Sequence, residues 1–198
     1  MTTSDARERL IGAMITALQR RGLHGSGLTE LLAAAQASKG VLYHHFPGGK
    51  TELAVAAIEA TVARLCDLLD QRMVAADAPA AAVMTWIAGA QQRLEASGYE
   101  RGCPLATIAL ETTADDVEIR AALAAGFAQI RARIAAALVK AGHADASADA
   151  LAALILAAYE GGLLQARAAG TPEPMNLVGD ALLSLMTLHR PKEPRHDN

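Results

Sequence analysis

Aromatic residues are nearly missing from this chain of 198 residues, which holds two Phe, three Tyr and one Trp. Valine and isoleucine are also sparse, 17 together. Strands draw on β-branched and aromatic side chains, so an ordinary β or α/β domain is excluded. The two cysteines, Cys66 and Cys103, form no spacing motif, and a protein of the reducing cytosol is expected. The longest run without Lys, Arg, His, Asp or Glu is Ala78–Gln92, 15 residues that include Pro79. A membrane span needs about 18 or more apolar residues, so none is expected. The first eight residues lack the apolar core of a signal peptide. No Gly-rich phosphate loop, nucleophile elbow or metal-ligand spacing occurs, so neither metal nor cofactor is expected.

Alanine is what the chain has in abundance, at 46 residues, followed by leucine at 26. Both are strong helix formers, and an apolar share of 52% excludes disorder. An all-α protein of one or two domains follows. Leu10, Ile11, Met14, Ile15 and Leu18 make one helical stripe that Gly22 ends. Ser26 is placed to cap a short helix, Leu28 to Ala35, and Ser38 another, Lys39 to His45. A long helix of about 39 Å then runs from Lys50 to Ala75. Further helices are predicted at 79–97, 104–113, 115–141, 146–169 and 174–189, about nine in all, with a polar tail from Pro191.

Net charge is −3, an odd value for a nucleic-acid binder, but it is unevenly spread. Residues 1–50 carry six Lys/Arg against three acids, and residues 51–198 carry 12 against 18. A basic head on an acidic body suits a polyanion contact confined to the first quarter.

Two short helices three or four residues apart make the helix-turn-helix layout, whose second helix enters the major groove of DNA. Leu31, Leu32, Ala35 and Leu42 suit the packing between them. Lys39 can reach a phosphate or a guanine edge, Gly40 admits close backbone approach, and Val41 can touch a thymine methyl. Tyr43, His44, His45 and Lys50 can donate to phosphates. A plain helical hairpin with a polar face leaves unexplained the crowding of an aromatic and two histidines beside two lysines.

The run Ser38-Lys39-Gly40-Val41-Leu42-Tyr43-His44-His45-Phe46, followed by Lys50 and Leu53, resembles the DNA-binding signature of the TetR family of bacterial repressors. The resemblance covers residues 5–55 closely. It implies a helix-turn-helix domain over 1–50, a helical ligand-binding and dimerisation domain over 51–190, and DNA contacts from Ser26, Thr29, Ser38, Lys39, Gly40, Val41, Tyr43, His44, His45 and Lys50. One departure is visible: Gln36 stands where the family has the turn glycine, at a cost of ~1 kcal/mol. The stretch Arg101-Gly102-Cys103-Pro104-Leu105, continuing to Glu111, is similar to the branch related to lincomycin- and flavonoid-responsive repressors.

By that resemblance the body holds a small apolar or aromatic effector. Trp86, Ile87, Ile108, Phe127, Ile130, Tyr159 and Leu163 offer walls; Gln91, Thr107, Glu111 and Arg131 offer polarity; each suits a plain core equally well. Cys103 joins the candidates. Before Pro104 it caps a helix whose positive end lowers a thiol pKa, or it is simply a buried small residue. A symmetric dimer is expected through Leu151, Leu154, Ile155, Ala158, Gly162 and Leu163 on one helix, where Ala158, Gly161 and Gly162 admit a close partner, and through Leu182, Leu185, Met186 and His189 on the last. The expected function is a ligand-responsive repressor that binds a palindromic operator in the cytoplasm. The alternatives are a helical binding or adaptor protein without DNA affinity, or a small enzyme built on Glu111, Asp115 and Asp116.

Overall fold

The computed structural model describes residues 3–76 and 78–188, and these form nine α-helices and no strand. They are α1 (Thr3–Arg21), α2 (Leu28–Ala34), α3 (Lys39–His45), α4 (Gly49–Ala75), α5 (Pro79–Ala96), α6 (Pro104–Glu111), α7 (Val117–Lys140), α8 (Asp145–Ala169) and α9 (Glu173–Leu188). His189 and the tail from Pro191 lie outside the described residues. Each start and stop has a local cause. Pro79 and Pro104 occupy the first helical position of α5 and α6, where a missing N–H costs nothing. Ser38 caps α3 by accepting a bond from the Val41 N–H at 3.3 Å. Ser26 does not cap α2. Gly27 holds that position, and the Ser26 hydroxyl turns inward to donate to the Gly22 carbonyl at 2.6 Å.

Helix α4 is the central post, packed by α1, α5 and α7, while α8 joins α7 to α9. Two glycines set the closeness of these contacts. A Cβ on Gly126 would strike Val62 across the α4–α7 crossing, and one on Gly162 would meet Met175 at 2.8 Å. One apolar core runs through both ends of the molecule, from Leu10, Met14, Leu42 and Phe46 to Ile119, Leu138 and Ile155.

The expectation that no segment has the length and apolarity of a membrane span needs correcting. By length and composition alone α7 and α8 both qualify. Counting charge-free runs missed them because Arg131 and Arg133 interrupt one and Glu160 the other. In this fold α7 packs on α4 and α8, and α8 on α9, the use a helical protein makes of apolar helices.

Candidate DNA interface and core cavity

Helix α3 stands at the surface. Lys39, Gly40 and His44 are exposed, Tyr43 is 51% exposed, and Val41 and His45 are half-buried. Leu42 and Phe46, fully buried, anchor its other face to α1. Thr29 and Ser38 are exposed beside it. The turn between α2 and α3 requires a left-handed residue, and Gln36 supplies it at φ +50°. The Ala37 N–H then closes on the Leu32 carbonyl at 3.0 Å. Three cations of the head are held in ion pairs: Arg9 with Asp5 at 2.8 Å and Arg21 with Glu30 at 2.8 Å inside the head, and Arg20 with Glu100 of the body at 3.2 Å. Lys39 makes no ion pair among the described residues, and Arg7 lies over the Phe46 ring, 5.4 Å from its centroid.

Two residues expected at the DNA are directed elsewhere. Ser26 is buried, as above. Lys50 turns into the chain, because the first turn of α4 faces the α1–α2 loop. Its Nζ donates to the Leu23 carbonyl at 2.6 Å, and burial lowers its pKa, with the nearby Glu111 charge opposing. Glu111 serves the same loop and is no cavity residue. Its Oε2 accepts from the Leu23 N–H at 2.6 Å and the His24 N–H at 3.0 Å. Only glycine at position 22 leaves room for that carboxylate, since a Cβ there would overlap it. Arg167 of α8 donates to the Arg20 carbonyl at 3.0 Å. Three side chains from α4, α6 and α8 therefore hold the end of α1.

Next to this junction lies a cavity of about 490 Å³. Its lining comes from α1 (Ile15, Gln19, Arg20), α4 (Thr61, Arg64, Leu65, Leu68), α5 (Arg93, Ser97), the α5–α6 connection (Arg101, Gly102, Cys103) and α8 (Tyr159, Leu163). Of the residues expected in a ligand site, the structure brings Cys103, Tyr159 and Leu163 together here. Trp86 stands behind them, stacked on Tyr159 with centroids 3.8 Å apart. The others go elsewhere for identifiable reasons. Ile108 is fully buried core, and Thr107 donates to the Cys103 carbonyl at 2.9 Å within its own helix. Phe127 is half-buried on α7, and Arg131 is exposed on the solvent side of that helix. Gln91 is spent on Glu95 at 3.0 Å.

Behind the cavity wall, against Cys103, lies a group the sequence does not reveal. Cys103 Sγ donates to Glu160 Oε1 at 3.2 Å. Burial raises the Glu160 pKa to about 7, and its Oε2 has no partner among the described residues. The cap position does not activate Cys103. Burial first, and then the Glu160 charge, push the thiol well above its ordinary range, outweighing the bonds from the helix backbone. Tyr159 is also pushed up by burial, opposed by Arg93, which hydrogen-bonds it. Of the acids an enzyme would use, Asp116 serves a turn: its carboxylate accepts from the Thr113 N–H at 2.8 Å and the Thr113 hydroxyl at 2.9 Å, and those bonds lower its pKa.

On the α8–α9 pair the expected interface residues divide. Ile155, Gly162, Leu182 and Met186 are buried inside the chain, where they hold α9 to α8 and the body, so they do not face outward. Leu154 is 49% exposed, and Leu151, Ala158 and Leu185 are half-buried. Exposed Leu164, Leu177 and Leu183 were not anticipated.

Comparison with known proteins gives a consistent set. The family described as bacterial regulatory proteins, tetR family, matches residues 10–57, and the LmrA/YxaF-like transcriptional regulator C-terminal domain matches residues 79–181. The uncharacterized HTH-type transcriptional regulator YxaF of Bacillus subtilis is 28% identical, over 90% of this chain and 93% of its own. The transcriptional regulator AcuR of Cereibacter sphaeroides is 31% identical, over 87% of this chain and 81% of its own. The crystal structure of regulatory protein TetR from Rhodobacter sphaeroides superposes with a TM-score of 0.81 at 28% identity, covering 90% of this chain and 97% of that one.

Proposed function

The chain belongs to the TetR family of bacterial transcriptional regulators, and we propose that it is a repressor released from its operator by a small molecule in the cavity beside α1. The family places it among transcription regulators that bind operator DNA and respond to ligands, and not among enzymes. The observation that carries the repressor reading is the shared position of α1. This helix packs against α3, and Ile15, Gln19 and Arg20 toward its C-terminal end line the cavity.

In this reading residues 1–50 read DNA and residues 51–190 sense and dimerise. Lys39, Tyr43 and His44 meet the groove, with Thr29, Ser38, Gly40, Val41 and His45 beside them. A second copy docks on the exposed leucines of α8 and α9, so that two heads sit about 34 Å apart over a two-fold operator in the cytoplasm. Ligand between α1, α4 and α8 shifts the end of α1 and with it the head spacing. A coupling of about 1–3 kcal/mol releases DNA roughly 5- to 150-fold.

A band-shift titration with duplexes from the flanking intergenic DNA tests this. Sequence-specific binding that falls steeply with salt is expected, with Lys39→Ala and Tyr43→Ala each costing about 1–3 kcal/mol. Absence of duplex affinity at low salt leaves the adaptor reading in its place.

A further inference from the structure

We propose that the cavity takes an organic anion, a small apolar body carrying a carboxylate. The carboxylate sits among Arg64, Arg93 and Arg101, and the apolar body rests on Cys103, Tyr159 and Leu163. This rests on the ligand-responsive reading above and names the class of ligand that reading leaves open.

The lining carries the argument. Four guanidinium groups reach the cavity from separate elements: Arg20 of α1, Arg64 of α4, Arg93 of α5 and Arg101 of the α5–α6 connection. No Asp or Glu is among the lining residues. That is the reverse of the body as a whole, where acids outnumber Lys and Arg by 18 to 12. Two of the four are partly used within the chain, Arg20 by Glu100 and Arg93 by the Tyr159 hydroxyl. Arg64 and Arg101 form no ion pair among the described residues. Arg64 and Arg101 thus line the cavity without a counter-charge among the described residues, and an anion beside them would supply one. A carboxylate matches the planar guanidinium fork with two parallel hydrogen bonds, which a neutral amide does only in part.

The floor sets the other half of the ligand. Leu65, Leu68, Ala90 and Leu163 are apolar, and the Tyr159 ring is held flat by Trp86 behind it. Glu160 is not part of the lining and stands behind the Cys103 thiol. Burial raises its pKa to about 7, which leaves about half of it uncharged at neutral pH and lessens its opposition to an incoming anion. Burial likewise holds the Cys103 thiol well above its ordinary range. A volume of about 490 Å³ accommodates a molecule of drug size.

Isothermal titration of the full chain with 4-phenylbutyrate, 4-phenylbutyramide and 4-phenylbutylamine, and with octanoate and octanamide, tests the charge directly. Each carboxylate is expected to bind about tenfold or more tightly than its amide, with the amine weakest. Arg64→Gln should erase most of that preference while the amide affinity stays in place. Arg101→Gln should do the same, and serves if the first variant does not fold. Equal binding of acid and amide, a preference unchanged in both variants, or no carboxylate binding at millimolar concentration overturns the proposal. The same probes in the band shift separate the two readings. Carboxylate binding without operator release keeps the anion site and removes the ligand-responsive repressor. Release by the neutral probes alone does the opposite.

Discussion

Glu160 is the side chain whose protonation should be visible in stability. Its folded pKa is about 7 against an ordinary 4.5, so between those values the folded chain keeps a proton that the unfolded chain has released. Stability is therefore greatest below the unfolded pKa and declines as pH rises through 7, by at most about 3 kcal/mol. Urea midpoints at pH 5 and pH 8 should show this decline in the natural chain and a smaller one in Glu160→Gln. Gln36 offers a second residue-scale outcome. It holds a left-handed turn at φ +50° without a contact that demands its side chain, so Gln36→Gly should raise stability by up to about 1 kcal/mol. Gln36 was legible in the sequence because a turn of this kind states its needs locally. Glu160 left a fainter mark as the one acid between Asp149 and Glu173, in an otherwise apolar run. That pattern shows an oddity but not which neighbour accounts for it. Cys103, 57 residues earlier in the chain, is found only by folding it.

Helices were the most readable level. Alanine and leucine set their existence, and prolines, glycines and Ser38 set their ends, all of it chemistry within a few residues. Which face each helix buries was less readable. Alanine gives a helix little sidedness, and Ile155 and Leu154 are neighbours of similar apolarity, one buried and the other 49% exposed. The reading of Glu111 failed in the same way, since nothing near it in sequence announces the loop 88 residues away that it serves. The eight residues of α6 run as a strut from Cys103 at the cavity to Glu111 at the head. Glu111→Ala leaves the Leu23 and His24 N–H groups without their charged acceptor. A loss of about 1.5–3 kcal/mol in global stability is expected, measured by chemical denaturation, with Glu111→Gln recovering part of it. Faster hydrogen exchange at residues 22–26 in the alanine variant would place the loss at that junction.

For the molecule as a whole, the exposed leucines of α8 and α9 make a prediction about assembly. Leu154→Glu combined with Leu164→Glu places two charges on that surface. Sedimentation should then show a monomer, and operator affinity should drop by about a hundredfold, because two linked heads bind far better than one. A dimer that survives both changes moves the interface elsewhere. The core running without a break from Leu10 to Ile155 bears on how such a protein can be rebuilt. Exchanging heads between regulators assumes two separable modules joined at a seam. Here the seam has its own fit: Gly22 leaves space for the Glu111 carboxylate, Leu23 and His24 bind it, and Arg167 grips the last turn of α1. A transplanted head with any larger residue at that position would evict Glu111 from its seat. It could still bind DNA yet no longer answer to the body, so a working chimera must carry the seam along with the head.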